Sequence, residues 1–167
     1  MQTGDPFILS RVDDIIEHLN LAAHPEGGYF KETYRSVEEI DSSQGKRSLL
    51  TNIYFLLKSD QKSAFHRLRS DEFWYFHEGS PLEVFIIFPN GQLKREVLGS
   101  DCLSEQKPQL LLPKGTWFAA RCLNDKSYSL ISCSVSPGFD FDDFELAERS
   151  ALQKEYPEFT DIIYEFT

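Results

Sequence analysis

Hydrophobic and polar positions alternate over most of the chain, in short runs cut by glycine, proline and asparagine. Alternation predicts strands over 29–35, 48–57, 72–78, 82–88, 93–98, 109–112, 117–121 and 128–135. Pro89-Asn90-Gly91 is a hairpin signal, and Pro113-Lys114-Gly115 and Pro137-Gly138 are further breaks. The Pro25-Glu26-Gly27-Gly28 segment reads as a turn that leaves His24 near the surface, while 37–46 and 99–108 read as polar loops. Helical spacing is confined to the two ends. Val12, Ile15, Ile16 and Leu19 predict a helix over about 11–20 with Ser10 and Asp13 as its capping box; His18 falls on its polar side. Leu146 and Leu152 predict a second helix over 145–155, capped by Asp142 or Asp143 and ended by Pro157, with a last helical turn or two over 159–166. Many short strands with helices only at the ends imply a mainly β fold. The form expected is an antiparallel jelly-roll β-barrel in a single domain over 1–167.

The stretch from Ser63 to Gly79 concentrates the chemistry. Its strand 72–78 is rich enough in aromatics to predict burial on both faces, with Glu72, Trp74 and Phe76 pointing one way and Phe73, Tyr75 and His77 the other. A carboxylate beside a tryptophan on a buried face must be paired, hydrogen-bonded or held for a ligand.

Composition narrows the partners. Seventeen basic against twenty-seven acidic side chains give a net charge of −10, which excludes a nucleic-acid-backbone binder but not one small anionic ligand at a local basic spot. No apolar run approaches the roughly 18 residues of a membrane span, and Met1–Ser10 lacks the pattern of a signal peptide. The three cysteines, without C-x-x-C spacing, support neither a zinc site nor a disulfide framework. A reduced, cytoplasmic protein is expected.

Glu72-x6-Gly79 with His66 upstream, followed later by Pro113-x-Gly115, resembles the two motifs of the cupin superfamily, G-x5-H-x-H-x3–4-E-x6-G and G-x5-P-x-G-x2-H-x3-N. Phe118 stands where the second motif has its His, and Cys122 where it has its Asn. The chain is more closely similar to a small single-domain cupin family with the signatures HPEGGYF, IYFLL, FHRLxSDExWxFHxG, PQxxxPxG and PGFDFxDFEL, met here in that order between His24 and Leu146. The resemblance implies a jelly-roll barrel open at one end, often a homodimer. By architecture its nearest functional relatives are the dTDP-dehydrorhamnose epimerases, which act on nucleotide sugars with a His, its carboxylate partner and a Tyr acid.

Three chemistries compete for this site. A cupin metal site takes three His and one Glu; this chain offers His66 and Glu72, while Ala64 and Phe118 cannot ligate, so neither metal nor cofactor is expected. Acid–base work would use His66 as general base, oriented by Glu72, with Tyr34, Tyr54 or Tyr128 as acid; this is the epimerase alternative. Binding would use Trp74, Trp117 and Phe118 as aromatic walls, each stacked base being worth roughly 1–3 kcal/mol. An ionised Glu72 accepts hydrogen bonds only, which suits the adjacent N1–H and amine of guanine. Thr51 and Gln109 are the candidate neutral contacts, and Arg35, Arg67 or Lys114 the candidate cation for a phosphate. The expected partner is therefore a small molecule, a nucleotide such as GDP or a nucleotide sugar.

Overall fold

A computed structural model describes residues 6–43 and 45–167; Met1–Asp5 from the N-terminal reading, and Gln44 from the predicted 37–46 loop, lie outside the described residues. The chain opens with α1 (Pro6–His18) and continues through β1 (Ala22–Ala23), β2 (Tyr29–Arg35), β3 (Glu39–Ser42), β4 (Gly45–Ser48) and β5 (Thr51–Lys58). Next come β6 (Ser63–Leu68), β7 (Asp71–Gly79), β8 (Leu82–Ile87), β9 (Leu93–Leu98), β10 (Gln106–Lys107) and β11 (Gln109–Leu112). The last strands are β12 (Trp117–Cys122), β13 (Tyr128–Ser136) and β14 (Phe144–Leu146), before α2 (Arg149–Glu155) and α3 (Thr160–Glu165).

Two six-stranded sheets face each other, in the orders β1-β2-β5-β13-β7-β11 and β10-β9-β8-β12-β6-β14. Every pairing in them is antiparallel except β10 with β9. The inward faces meet in one core that includes Phe55, Leu57, Trp74, Ile86, Phe118 and Ile131. Two smaller cores lie outside the sandwich. The C-terminal helices cover the outer face of the second sheet through Leu152, Ile163 and Phe166, which pack on Phe65, Phe85 and Trp117. Helix α1 lays Val12 and, with the following turn, Leu21 against Leu56 and Tyr128 of the first sheet. No described helix is long and apolar enough to cross a membrane.

Several sequence expectations are corrected. Helix α1 begins at Pro6, so Ser10 lies inside it and is not its cap. The predicted 37–46 loop is largely the β3–β4 hairpin; it escaped the pattern because both its faces are mostly exposed and polar, leaving no alternation to detect. The hairpin is tied down instead by a largely buried ion pair, Arg47 Nε to Asp143 at 2.7 Å. Asp143 is therefore not a helix cap. Asp140 caps the short 3-10 turn Phe141–Asp143, Phe144–Leu146 pairs as β14 with β6, and the helix starts only at Arg149 with Glu148 as its N-cap. Strand β7 is buried on one face only: Glu72 and Trp74 are buried, whereas Phe73 and Tyr75 are half-buried and His77 is exposed.

Candidate functional site

The turn after α1 fixes the site. Gly27 has φ +109, and a Cβ there would lie 2.2 Å from the Lys62 carbonyl oxygen, so the turn sits directly against the β5–β6 connection. This close approach delivers Glu26 into the barrel, where it is 7% exposed. Its carboxylate accepts from Ser63 Oγ at 2.9 Å and lies 2.9 Å from His66 Nε2. His66, on the inward face of β6, has its Nδ1 2.7 Å from the Ala64 carbonyl oxygen. With Glu26 ionised, both ring nitrogens face acceptors, which the doubly protonated imidazolium satisfies. Burial alone would lower the His66 pKa, but the Glu26 carboxylate overrides it and holds the ring above its ordinary value. Glu26, conversely, is held below the usual carboxylate range by the His66 charge and hydrogen bond, against the effect of burial. His24 is not a surface residue: its side chain is 7% exposed. Its Nδ1 accepts from the Glu26 backbone N–H at 3.3 Å, and burial lowers its pKa, so it is the neutral member of the group.

Glu72 projects inward from the opposite sheet. It is not the partner of His66, because β6 and β7 belong to different sheets and Glu26 already fills that role. Its Oε2 is buried with no hydrogen-bond partner among the described residues, and the indole Nε1 of Trp74 is likewise unpartnered. Burial pushes the Glu72 pKa up to about 7; the His66 charge opposes this and the Glu26 carboxylate adds to it. Trp74 and Cys133 lie near enough to favour the ionised form, without closing a hydrogen bond to Oε2.

These groups line a cavity of about 240 Å³, walled by Phe30, Phe55, Trp74, Phe139, Phe141 and Phe144. Arg35, Thr51, Glu72 and Val135 also line it; they come from the end of β2, the starts of β5 and β7 and the end of β13, which places the mouth at that end of the barrel. Over the mouth lies the Phe139–Phe144 segment, held by Phe139 N donating to Thr51 Oγ1 at 2.9 Å and by Arg35 donating to the Phe139 carbonyl at 3.1 Å.

Of the residues expected at the site, Arg35, Thr51, His66, Glu72 and Trp74 meet at this cavity. Trp117 does not: it faces the outer core under the C-terminal helices, with Arg67 stacked over its ring at 4.4 Å. Adjacent residues on a strand point to opposite faces, so Trp117 and Phe118 could not both face inward. Phe118 does face inward but lies behind the wall, 4.2 Å from the His66 ring. Gln109 is exposed, because Leu110 and Leu112 take the inward positions of β11. Arg67 and Lys114 open onto a separate cleft. None of the three candidate tyrosines lines the cavity; Tyr128 instead donates to Glu78 at 2.7 Å on the outer side. The sequence reading missed His24 and Glu26, although both stand in the HPEGGYF signature, because a Pro-Gly-Gly turn is ordinarily a surface feature.

The donors present do not fit the metal that many cupins hold. Both ring nitrogens of His66 are engaged, Phe118 occupies the second-motif His position, and no three His, Cys, Asp or Glu side chains among the described residues are placed to share an ion.

Two facing antiparallel sheets around a cavity that opens at one end define a β-barrel of the cupin type, and the comparisons agree. Residues 13–147 match the family described as Cupin superfamily (DUF985), and the chain belongs to that family. It is 32% identical over 149 residues to the uncharacterized protein YML079W of Saccharomyces cerevisiae, covering 80% of this chain and 74% of that protein. Among solved structures it is similar to protein SO0799 of Shewanella oneidensis, with TM-score 0.86, 43% identity and coverage of 93% of this chain and 96% of that one. A hypothetical protein from Leishmania major gives TM-score 0.87 at 34% identity, covering 93% and 97%. Oxalate decarboxylase from Bacillus subtilis shares the fold alone, with TM-score 0.58 at 13% identity over 87% of this chain and 36% of that one.

Proposed function

We propose that the barrel binds a small planar ligand through the edge of its ring, and that this ring is a guanine-type base of a nucleoside, nucleotide or nucleotide sugar. One observation carries the reading. The aromatic cavity presents a buried carboxylate oxygen of Glu72 and, close beside it, the buried indole N–H of Trp74, neither of which closes a hydrogen bond among the described residues. Buried polar atoms left without partners are costly and rare in folded proteins, which makes an unmet pair a cue for a ligand edge. Guanine offers the complement, a ring carbonyl for Trp74 and two adjacent N–H donors for Glu72; adenine offers no such edge. The partner is a small molecule, the assembly a homodimer on the family resemblance, and the location cytoplasmic.

The test uses Trp74 as the probe. In a Trp117→Phe variant it is the remaining tryptophan, since the chain has two. Saturable quenching by guanosine or GDP, absent with adenosine, ADP and UDP, is the expected result, and Glu72→Gln should abolish the preference. Equal response to all, or to none, would end the guanine reading.

The epimerase alternative, with His66 as general base, is less well supported, because an imidazolium bonded at both nitrogens has no lone pair to take a proton. What favours proton transfer at all is Glu72, whose pKa of about 7 suits a general base or acid. Deuterium uptake from solvent by a bound nucleotide sugar, lost in Glu72→Gln, would favour that second reading.

A further inference from the structure

The charges around the cavity say which part of the ligand enters. Among the described residues lining it, Glu26, Glu32, Glu72 and Asp140 are acidic, whereas the cations are Arg35 and His66. His66 is spent on Glu26. Arg35 donates through Nε and Nη2 to Glu32 at 3.1 and 2.7 Å, and through Nη1 and Nη2 to the Phe139 carbonyl at 3.1 Å each. Those contacts occupy four of the five guanidinium N–H groups. Asp140 lies beside Arg35 and Arg47, which are already bonded to Glu32 and Asp143, so carboxylates outnumber cations at the mouth even without Glu72, which is partly protonated near pH 7. Arg69 and Lys114 open onto a different cleft, shared with Asp143 and Glu145 on the far side of Leu68.

We infer that this site recognises its ligand by the heterocycle alone and leaves any phosphate in solvent, so that an uncharged guanine nucleoside or base is preferred to a guanine nucleotide. The inference rests on the guanine reading above and narrows its ligand class. A nucleotide still enters by its base, but each phosphate charge at the mouth meets Glu32 and Asp140 without a free cation to offset them.

Guanosine, GMP and GDP are titrated into the Trp117→Phe protein at low and at high salt, following Trp74 emission. Guanosine should bind tightest and GDP about threefold or more weaker at low salt, with the gap closing at high salt. In Glu32→Gln, which frees one N–H group of Arg35, since the amide carbonyl still accepts from the other, and removes one negative charge, the GDP-to-guanosine ratio of Kd should fall by about threefold. GDP binding tighter than guanosine, or a ratio untouched by Glu32→Gln, would overturn the inference and leave the guanine reading standing. Failure of all three ligands to bind would remove both.

Discussion

Glu26→Gln is expected to lower the melting temperature by roughly 10 °C at mildly acidic pH. Removing one member of a buried ion pair costs about 3–5 kcal/mol, because the other charge stays buried without a partner. In a chain of this size each kcal/mol moves Tm by about 2–4 °C. Here the stranded group is the His66 imidazolium, 2% exposed. The pH window follows from the two shifts. Glu26 lies below its ordinary 4.5, so its contribution is present above that value and lost as pH falls through the depressed one. His66 lies above its ordinary 6.5, so its contribution is fully present below 6.5 and lost as pH rises through the raised value. The pair is at full strength between about 4.5 and 6.5, where thermal melts of the variant should show their largest deficit. The double variant Glu26→Gln/His66→Gln should lose less than the sum of the single losses. Simple additivity would contradict the pairing.

Glu72→Gln should do the reverse, stabilising the fold at alkaline pH. The Glu72 carboxyl titrates at about 7 in the folded protein against an ordinary 4.5. The native state therefore holds its proton longer than the unfolded state, and the associated stability, complete below 4.5, is lost as pH rises through 7. A shift of that size corresponds to about 3 kcal/mol. Urea unfolding at pH 8 should find Glu72→Gln more stable than the native sequence by about 2–3 kcal/mol, with the difference vanishing near pH 4.5. The same difference at both values would mean that Glu72 is not an unpaired buried acid. Such a cost at the working pH is what the proposed ligand site would account for, since activity can require groups that weaken the fold.

The fold was largely legible because the strands announce themselves by period two and by their turns. The observed β2 has the predicted bounds, and β8, β9, β11, β12 and β13 lie within a residue of them, separated by the Pro-Asn-Gly and Pro-Lys-Gly breaks. The β3–β4 hairpin and β14 were not legible. The first has no buried face to create alternation, and the second is three residues long and follows a 3-10 turn. Within the site, Glu72 and Trp74 were found together because strand parity places i and i+2 on one face. Parity also argues against the pairing of Trp117 with Phe118, and Gln109 fails by the same rule. Glu26 could not be placed by periodicity at all. Its burial depends on a turn pressed against a distant strand connection, a contact between residues 27 and 62 that local pattern does not encode.

The most direct measurement is a pH titration of the glutamate side-chain carboxyl carbons by NMR, with Glu72→Gln and Glu26→Gln used to assign the two buried signals. Glu72 should titrate near 7 and Glu26 below 4.5. Added guanosine should draw the Glu72 midpoint downward, because donors at its free oxygen favour the ionised form. A Glu72 that titrates near 4.5, or one that stays near 7 regardless of guanosine, would contradict the reading of this carboxylate as the group that waits for the ligand.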